Sequence, residues 1–385
     1  MTEVLRRTWA TIDMDALRHN LSVVQEALSP AARCMAVVKS DAYGHGAVPI
    51  ARELEAAGAD WFGVATLEEA VQLRQGGITA PILILSYTPT AAVAKLADYD
   101  LAQTVLDADY AARLEQAAAA KGIAVRVHIK VDTGMSRIGF HGDNTVLDIV
   151  TVCSYPHLNA EGIFTHFPAA DTCACDEQTR SAFVRFTDVL AQLEAAGITF
   201  SYRHCCNSAA TFRFPEMQLD MVRAGIVLYG ASPSQEMQGA LPLKPVMTLN
   251  TVVSQCKTVP ADTPVGYGST YRTTDTATLA TLPIGYGDGL LRIGAASLSV
   301  TINGQPAKLV GRVCMDQCVA DITAIPNVAV GHSAVVFGNG GQTADAYAAA
   351  CQTIPYETLC LVGKRVPRVY YRDGQPFAAH TLLQP

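Results

Sequence analysis

The chain has 385 residues, of which 50% are apolar and 16% charged, a composition that excludes a disordered protein and predicts more than one folded domain. The net charge is −7 and Lys and Arg form no run, which argues against a nucleic-acid partner. No apolar run approaches the ~20 residues that span a bilayer, and residues 1–7 lack a signal-peptide core. We therefore expect no membrane partner and a cytoplasmic location.

The first 230 residues alternate between two patterns. Short β-rich apolar runs recur at 35–39, 60–65, 82–86, 101–105, 124–131, 159–165, 200–206 and 222–228. Between them lie segments with helical periodicity, among them 46–58, 67–76, 107–121 and 177–197. Strand and helix alternating eight times predict an α/β fold with an N-terminal (β/α)8 barrel of the TIM type. An earlier strand around residues 8–12 could pair with this barrel.

Polar side chains fall where the predicted strands end. They are Lys39 after the first strand, Arg137 in the loop after the fifth, His166 at the end of the sixth, Asn207 and Ser208 after the seventh, and Arg223 in the eighth. The carboxyl ends of barrel strands meet at one face, where the chemistry of such folds is found. Ser208 also reads as the N-cap of a helix over 208–213, and the same free N–H groups would bind a phosphate.

After about residue 240 the pattern changes. Residues 241–245 read as a linker, and the segments beyond it alternate apolar and polar residues between turn signals such as Asn303-Gly304 and residues 338–341. Only 344–363 has helical character. The sequence therefore predicts two domains, a barrel over residues 1–240 and a smaller β-rich C-terminal domain over residues 241–385.

Eleven cysteines form no regular framework, so we expect reduced thiols. A zinc site can be drawn from two close pairs and two histidines, namely Cys173, Cys175, Cys205, Cys206, His166 and His204. Neither pair has the two-to-four-residue spacing of structural zinc sites. We therefore expect no metal.

Lys39 stands at the end of the apolar run Val37-Val38 and before a Gly-rich turn. A lysine delivered in this way into an enclosed pocket loses solvation, which lowers its pKa and leaves an amine able to form a Schiff base. The position alone does not decide the matter, because most lysines after an apolar pair are solvated strand ends. The eight-residue segment that begins at Lys39 gives a more specific indication of function than the position of the lysine alone.

Segments spread over nearly the whole chain resemble the signatures of alanine racemases and occur in the same order. They are KSDAYGHG at 39–46, HIKVDTGMSRIG at 128–139, MVRAGIVLYG at 221–230, VGYGSTY at 265–271, LPIGYGDG at 282–289, GRVCMDQ at 311–317 and IPYE at 354–357. The sequence departs from the family at Ala224, where proline is common, and at Leu290-Leu291, before Arg292. Neither departure removes a functional group.

The resemblance implies pyridoxal 5′-phosphate (PLP) carried on Lys39 and a site for it at the barrel mouth. It implies that Arg137 meets the cofactor's phenolic oxygen and the substrate carboxylate, and that Arg223 meets the pyridine nitrogen. The other implied cofactor contacts are Tyr43, His166, Asn207, Ser208, Gly225, Ile226 and Tyr356, and the implied substrate contacts are Met315, Asp316 and Tyr286. Lys130 matches a lysine that is often carbamylated in the family, with a plain lysine–acid pair as the alternative.

The residue types also suit the chemistry. Racemisation needs a proton removed from one face of the α-carbon and another delivered to the opposite face, so two acid/base groups must flank it. Lys39 can be one and Tyr267 the other. A tyrosine has a reference pKa of about 10 and needs cationic or donor neighbours to act as a base, and His166 with Arg223 could supply them.

The leading interpretation is a racemase of L- and D-alanine that supplies cell-wall peptidoglycan. Its active sites would be shared in a homodimer, because the short linker does not let the second domain cover its own barrel mouth. One alternative is a related PLP enzyme, either a racemase of serine or a broader set of amino acids, or a decarboxylase. Another is a PLP-binding protein without catalysis, which would not need Tyr267.

Overall fold

The computed structural model describes residues 7–295 and 297–382. Residues 1–6, which contributed to the expected location, lie outside this range. Within it, no helix combines the length and the apolar character that crossing a membrane requires.

Eight parallel strands form the N-terminal barrel, and one strand, β1 (Thr8–Asp13), precedes them. The barrel strands are β2 (Arg33–Val37), β3 (Trp61–Val64), β4 (Ile82–Ile84), β5 (Leu101–Val105), β6 (Val125–Lys130), β7 (Leu158–Phe164), β8 (Tyr202–His204) and β9 (Met221–Ala224). Their order is β8-β7-β6-β5-β4-β3-β2-β9. The amides of Asp220 and Arg223 donate to carbonyls of Arg203 and Cys206 across the remaining gap, which nearly closes the ring. The eight predicted strands and the barrel are confirmed.

The helices mostly cover the barrel, apart from two in the second domain and from α2, a short turn whose inner residues are left-handed. They are α1 (Met14–Glu26), α2 (Lys39–Gly44), α3 (Ala47–Ala56), α4 (Leu67–Gln75), α5 (Val93–Asp98), α6 (Ala108–Ala119), α7 (Thr145–Cys153), α8 (Asp176–Ala195), α9 (Ser208–Arg213), α10 (Ala344–Ala350) and α11 (Pro355–Cys360). The predicted helix over 344–363 is two helices, because the chain leaves helical geometry at Gln352, with φ of 57°, and Pro355 begins the second helix.

A ten-stranded sheet forms most of the second domain, in the order β11-β14-β17-β16-β15-β18-β10-β1-β19-β20. Its strands, besides β1, are β10 (Met247–Val252), β11 (Gln255–Val259), β14 (Ala277–Leu282), β15 (Ser299–Ile302), β16 (Gln305–Val310), β17 (Cys318–Asp321), β18 (Ser333–Phe337), β19 (Arg368–Arg372) and β20 (Gln375–His380). A separate ribbon joins β12 (Pro264–Val265) to β13 (Tyr271–Arg272). The predicted turn at Asn303-Gly304 connects β15 to β16, with φ of 49° and 75° at its two residues.

The strand β1 pairs with this second sheet and not with the barrel. It lies antiparallel to β10, with Thr8 opposite Thr251, and parallel to β19, with Ala10 opposite Arg368. The expectation that it could pair with the barrel is wrong because the eight barrel strands already close on one another. The chain thus threads its first described strand into the second domain before it builds the barrel.

Polar contacts fix the second domain to the barrel. Buried Glu53 in α3 forms ion pairs with Arg18 in α1 and with Arg372 in β19. The predicted linker at 241–245 has no regular structure, and Asn20 of α1 holds it by bonding both the N–H and the C=O of Lys244. The barrel mouth and the second domain therefore have a fixed relation within one chain.

Candidate active site

Lys39 begins a turn of unusual handedness. Strand β2 ends at Val37, and residues Ser40, Asp41, Ala42 and Tyr43 have φ of 53°, 54°, 52° and 51°. Each non-glycine residue in the left-handed region costs roughly 1–2 kcal/mol. Four in a row are therefore strained, and such a conformation persists only where the surroundings determine it. We refer to residues 39–46 as the Lys39 turn.

Barrel groups hold the Lys39 turn from one side. The Ser40 amide donates to Glu69 Oε1 at 2.6 Å, and the same carboxylate accepts from the Ala65 amide at 2.7 Å. Asp41 Oδ1 accepts from the Ala47 amide at 2.7 Å, which ties the turn to the start of α3. Hydrogen bonds of this kind to ionised carboxylates are stronger than neutral ones.

The second domain holds the Lys39 turn from the other side. Arg368 Nε donates to the Gly44 carbonyl at 2.9 Å, and the Tyr370 hydroxyl donates to the His45 carbonyl at 3.1 Å. Gly44 has φ of 81°, and a Cβ there would lie 2.3 Å from the Leu359 carbonyl oxygen in α11. Glycine is required at this position both for the backbone angle and for the close approach.

The Lys39 amine is half-buried among other charged groups. Burial lowers its pKa, the positive charge of Arg137 lowers it further, and Cys360 and Glu69 oppose the shift. A lysine with a lowered pKa holds more of its amine in the neutral, nucleophilic form. Cys360 was not among the predicted site residues. It lies close to Lys39 because α11 packs against the Lys39 turn.

Residues that could form an anion pocket lie beside the Lys39 turn. A Cβ at Gly225 would stand 2.8 Å from the Tyr43 hydroxyl and 3.7 Å from Ser208 Oγ, and the Gly225 amide donates to Ser208 Oγ at 2.8 Å. The Tyr43 and Tyr356 rings lie 6.0 Å apart. Burial raises the pKa of both tyrosines, so both hydroxyls stay protonated and can donate hydrogen bonds.

Two details of this pocket differ from the sequence prediction. The last barrel strand ends at Ala224, so Gly225 and Ile226 follow it, and a 3-10 helix runs from Ile226 to Tyr229. The N-cap of α9 is Asn207, whose Oδ1 accepts from the Ala210 amide at 3.0 Å, and not Ser208. Ser208 is thereby left to bond the Gly225 amide.

Arg223 is buried in the barrel and, within the described part of the chain, pairs with no carboxylate. Its Nη1 donates to His204 Nδ1 at 2.9 Å, and its Nη2 donates to His166 Nδ1 at 3.1 Å and to the Thr165 carbonyl at 2.8 Å. Burial lowers its pKa to about 10, so the guanidinium remains charged at neutral pH. Buried arginines commonly pair with an acid, and this one pairs with two imidazoles.

Lys130 is buried near the same arginine. Its Nζ donates to the Val131 carbonyl at 2.7 Å, and burial together with the charge of Arg223 lowers its pKa to about 7. The Asp132 carboxylate accepts from the amides of residues 134–136. Among the described residues Lys130 forms no ion pair, so the structure contains no lysine–acid pair at this position.

Arg137 lies in the loop after β6, as predicted. It lines a cavity of about 590 Å³ together with Asp132, Thr133 and Arg185. Its side chain is exposed, and its charge acts on both Lys39 and Lys130. Electrostatic contacts thus link Lys39, Lys130, Arg137, His166 and Arg223 at the barrel mouth, and the Tyr356 ring of α11 lies 6.0 Å from that of Tyr43.

The remaining predicted residues lie on an exposed surface of the second domain. The side chains of Tyr267, Met315 and Tyr286 are 72%, 53% and 45% exposed. Backbone hydrogen bonds join residues 286 and 287 to residues 314 and 315, and Asp316 pairs with Arg365 at 2.7 Å. A side chain as exposed as Tyr267 is not enclosed in one pocket with Lys39 of the same chain.

Sequence reasoning missed several residues that support the site. Glu69, Arg368 and Tyr370 hold the Lys39 turn, and they stand far from the quoted signature of that turn. His204 appeared only as a zinc candidate, but its Nδ1 accepts from Arg223. Within residues 7–295 and 297–382 no three His, Cys, Asp or Glu side chains are placed to hold a metal.

Comparison with known proteins matches both domains to one family. Residues 12–233 match the family model for the alanine racemase N-terminal domain, and residues 246–370 match that for the C-terminal domain. A relative called alanine racemase from Desulfovibrio desulfuricans is 46% identical over 368 residues, which cover 95% of this chain and 98% of the relative. A second, alanine racemase 1 from Oceanobacillus iheyensis, is 43% identical, with 95% and 98% covered.

Solved structures agree with this match. The alanine racemase of Clostridium difficile 630 superposes with a TM-score of 0.94 at 37% identity, covering 98% of this chain and 99% of that one. The alanine racemase of Bacillus anthracis superposes with a TM-score of 0.92 at 34% identity, covering 99% of each chain.

Replacing Glu69 should loosen the Lys39 turn. Glu69→Ala removes the carboxylate that accepts from the Ser40 and Ala65 amides, and a hydrogen bond to a charged group is worth about 1.5–3 kcal/mol. We expect amide hydrogen exchange in residues 39–46 to accelerate roughly tenfold to a hundredfold. Glu68→Ala, in the same turn of α4, is the matched control. Equal exchange in both variants would show that Glu69 does not restrain the turn.

Proposed function

Because the chain belongs to the alanine racemase family and is therefore an isomerase of L- and D-alanine, we propose that it works with PLP and with two bases, Lys39 and Tyr267. The observation that carries this proposal is the placement of Lys39. Its amine, with a lowered pKa, lies in one mouth with an anion pocket and a buried guanidinium.

The residues of the barrel mouth fit PLP. Lys39 would hold the cofactor covalently, and Tyr43, Ser208, Gly225, Ile226 and Tyr356 would surround its phosphate, with Asn207 fixing the start of α9 beside them. Gly225 supports this fit, because a Cβ at this residue would fill the space between the Tyr43 and Ser208 hydroxyls. When bound, PLP withdraws electrons from the α-carbon of the amino acid, which makes its proton removable.

Arg223 would limit that withdrawal. A guanidinium can only donate hydrogen bonds, so facing the pyridine nitrogen it leaves that atom unprotonated. His204 and His166 fix the guanidinium in place. A weaker electron sink keeps the reaction at the α-carbon and disfavours transamination.

Two bases on opposite faces are needed to invert the α-carbon. Lys39 would exchange the α-proton of D-alanine and Tyr267 that of L-alanine. Arg137 would bind the substrate carboxylate, and Met315, Asp316 and Tyr286 would border the small methyl group. His166 accepts a hydrogen bond from Arg223 through Nδ1, so its single proton lies on Nε2 and is free to contact the second base.

A homodimer with shared sites would bring the two bases together. The chain's own second domain reaches the Lys39 turn through α11 and β19, yet it leaves Tyr267 72% exposed. A two-fold contact that carries one Tyr267 to the partner's barrel mouth also does the reverse. A partner chain would therefore complete both sites at once.

The proposal extends to the role of the product and to the division of the chain. D-alanine made in the cytoplasm would supply cell-wall peptidoglycan.

We place the change from the barrel domain to the β-rich domain between residues 240 and 241, and the irregular segment that Asn20 holds supports this boundary.

Tyr267→Phe should separate the two half-reactions. Without the hydroxyl, we expect racemisation to fall roughly a hundredfold to ten-thousandfold, the usual loss of a general base, while Lys39 still exchanges the α-proton of D-alanine. Deuterium uptake from solvent into each isomer measures this. Tyr271→Phe, on the same ribbon, is the control. Racemisation within a few-fold of the parent in the Tyr267 variant would rule out the two-base mechanism.

Mixing two inactive variants should restore activity if sites are shared. A dimer of one Lys39→Ala chain and one Tyr267→Phe chain would hold one site with both lesions and one with neither. We expect about half of the parent activity per mixed dimer, since an isologous contact builds two equivalent sites. If subunits demonstrably exchange and no activity returns, each site is built within one chain.

Lys130 should form a carbamate that depends on pH. With a pKa of about 7, its amine is neutral above that value, where it can attack carbon dioxide and lose a proton. We expect a ¹³C carbamate signal after addition of labelled bicarbonate, and we expect it to fade as the pH drops below about 7. Lys130→Met should abolish the signal, and the exposed Lys121→Met should keep it. A signal that survives in the first variant would assign the modification elsewhere.

A further inference from the structure

A line of polar side chains runs from Arg223 away from the barrel mouth. Arg223 Nη1 bonds His204 Nδ1 at 2.9 Å, and His204 Nε2 lies 3.0 Å from His128 Nδ1. The second nitrogen of His128, Nε2, lies 3.5 Å from Glu161 Oε1 and is buried without a hydrogen-bond partner among the described residues. Both imidazoles are fully buried. His204 contacts Arg223 directly, and the two residues beyond it, His128 and Glu161, have no role in the proposed reaction.

Both histidines are neutral at neutral pH. Burial lowers the pKa of His128, and burial together with the charge of Arg223 lowers that of His204 well below its usual value. Each ring therefore carries one proton, on one of two nitrogens. The proton position decides which atom of each ring donates and which accepts.

The donors of Arg223 are satisfied only if every hydrogen bond along the line runs in one direction. Arg223 can only donate, so His204 Nδ1 must accept and the proton of His204 lies on Nε2. That proton points at His128 Nδ1, which must also accept, so the proton of His128 lies on Nε2. This proton then needs an acceptor, and Glu161 is the group it faces.

The fold places Glu161 there by a local irregularity. In the pairing of β6 with β7, Val127 lies opposite Ala160 and His128 lies opposite Gly162, so Glu161 is an extra residue in a β-bulge. Bulges re-aim a side chain and are common next to active sites. The following residue must be glycine, because a Cβ at Gly162 would lie 2.3 Å from His128 Nδ1.

A second partner keeps the carboxylate in an accepting form. Arg126 Nε donates to both oxygens of Glu161 at 3.1 Å. The hydrogen bonds and charge of Arg126, together with the nearby His128 ring, outweigh the effect of burial and lower the pKa of Glu161. Glu161 is thus ionised at neutral pH and offers no proton to His128.

We propose that Glu161 is a positioning residue for Arg223: by accepting from His128 Nε2 it selects one tautomer of His128 and of His204 and so holds the guanidinium that is to face the cofactor ring. With the opposite tautomers, His204 would present an N–H to the N–H groups of Arg223. Two donors repel, and the guanidinium would lose the bond that fixes its plane. The consequence for the cofactor rests on the function proposed for Arg223.

The parent protein tests the tautomers directly. With ¹⁵N-labelled histidine, two-bond ¹H–¹⁵N correlation spectra distinguish a ring protonated on Nε2 from one protonated on Nδ1, and a His128→Gln variant assigns the signals. We expect Nε2–H for both His128 and His204, with or without PLP. A proton on Nδ1 of either ring would overturn the proposal and would leave the proposed function untouched.

Glu161→Gln should reverse the direction of the hydrogen bonds between Glu161 and Arg223. Arg126 will bind the carbonyl oxygen of the new amide, so its NH2 group will face His128 Nε2 and force the His128 proton onto Nδ1. In the PLP-loaded enzyme we expect kcat to fall about tenfold, the order of one displaced charge-assisted bond, with the KM for alanine unchanged because Arg137 remains. A loss confined to KM, or unchanged tautomers with unchanged kcat, would refute the role.

Glu115→Gln is the matched control. Glu115 also holds a histidine, with His157 Nδ1 at 2.8 Å from its Oε1, and its side chain is 14% exposed against 15% for Glu161. His157 has no link to Arg223. This variant should leave the signals of His128 and His204 and the value of kcat as in the parent. Changes equal to those of Glu161→Gln would mean that any buried Glu–His pair in the barrel has the same effect.

Discussion

The site depends on a strained turn that two parts of the chain hold from opposite sides. Four consecutive left-handed residues follow Lys39, and alone they would relax to a cheaper conformation. Glu69 holds the amide side of the turn, and Arg368 and Tyr370 hold its carbonyls. The barrel supplies the first of these contacts and the second domain the others. The position of the lysine is therefore a property of both domains together.

Positive charge is the second organising feature. Lys39, Lys130, Arg137 and Arg223 act on one another through the barrel mouth, and the nearby charges add to burial in lowering the pKa of the two lysines. The carboxylate that acts on Lys130, Asp132, is occupied by three backbone amides. Anionic groups such as a phosphate and a carboxylate would relieve this repulsion, which fits the substrate and cofactor proposed.

Periodicity and signature residues predicted the barrel strands, most helices and the cluster at the strand ends. Contacts distant in sequence escaped prediction. The partners of β1 lie some 240 and 360 residues away in the chain, and no local pattern distinguishes them. The bulge at Glu161 also has no signature in the sequence, because an extra residue in one strand is defined only by the register of the neighbouring strand. The N-cap of α9 was misplaced by one residue, since Asn207 and Ser208 are both good caps.

The central position of β1 has a consequence for biosynthesis. A ribosome releases β1 before the barrel, yet β10 emerges only after the whole barrel and β19 later still. Until then β1 has two open edges, and such edges invite pairing with other nascent chains. The barrel can close beforehand, because its eight strands are consecutive. A chain cut after the barrel would keep β1 without partners, so aggregation would limit its yield even where the barrel itself is sound.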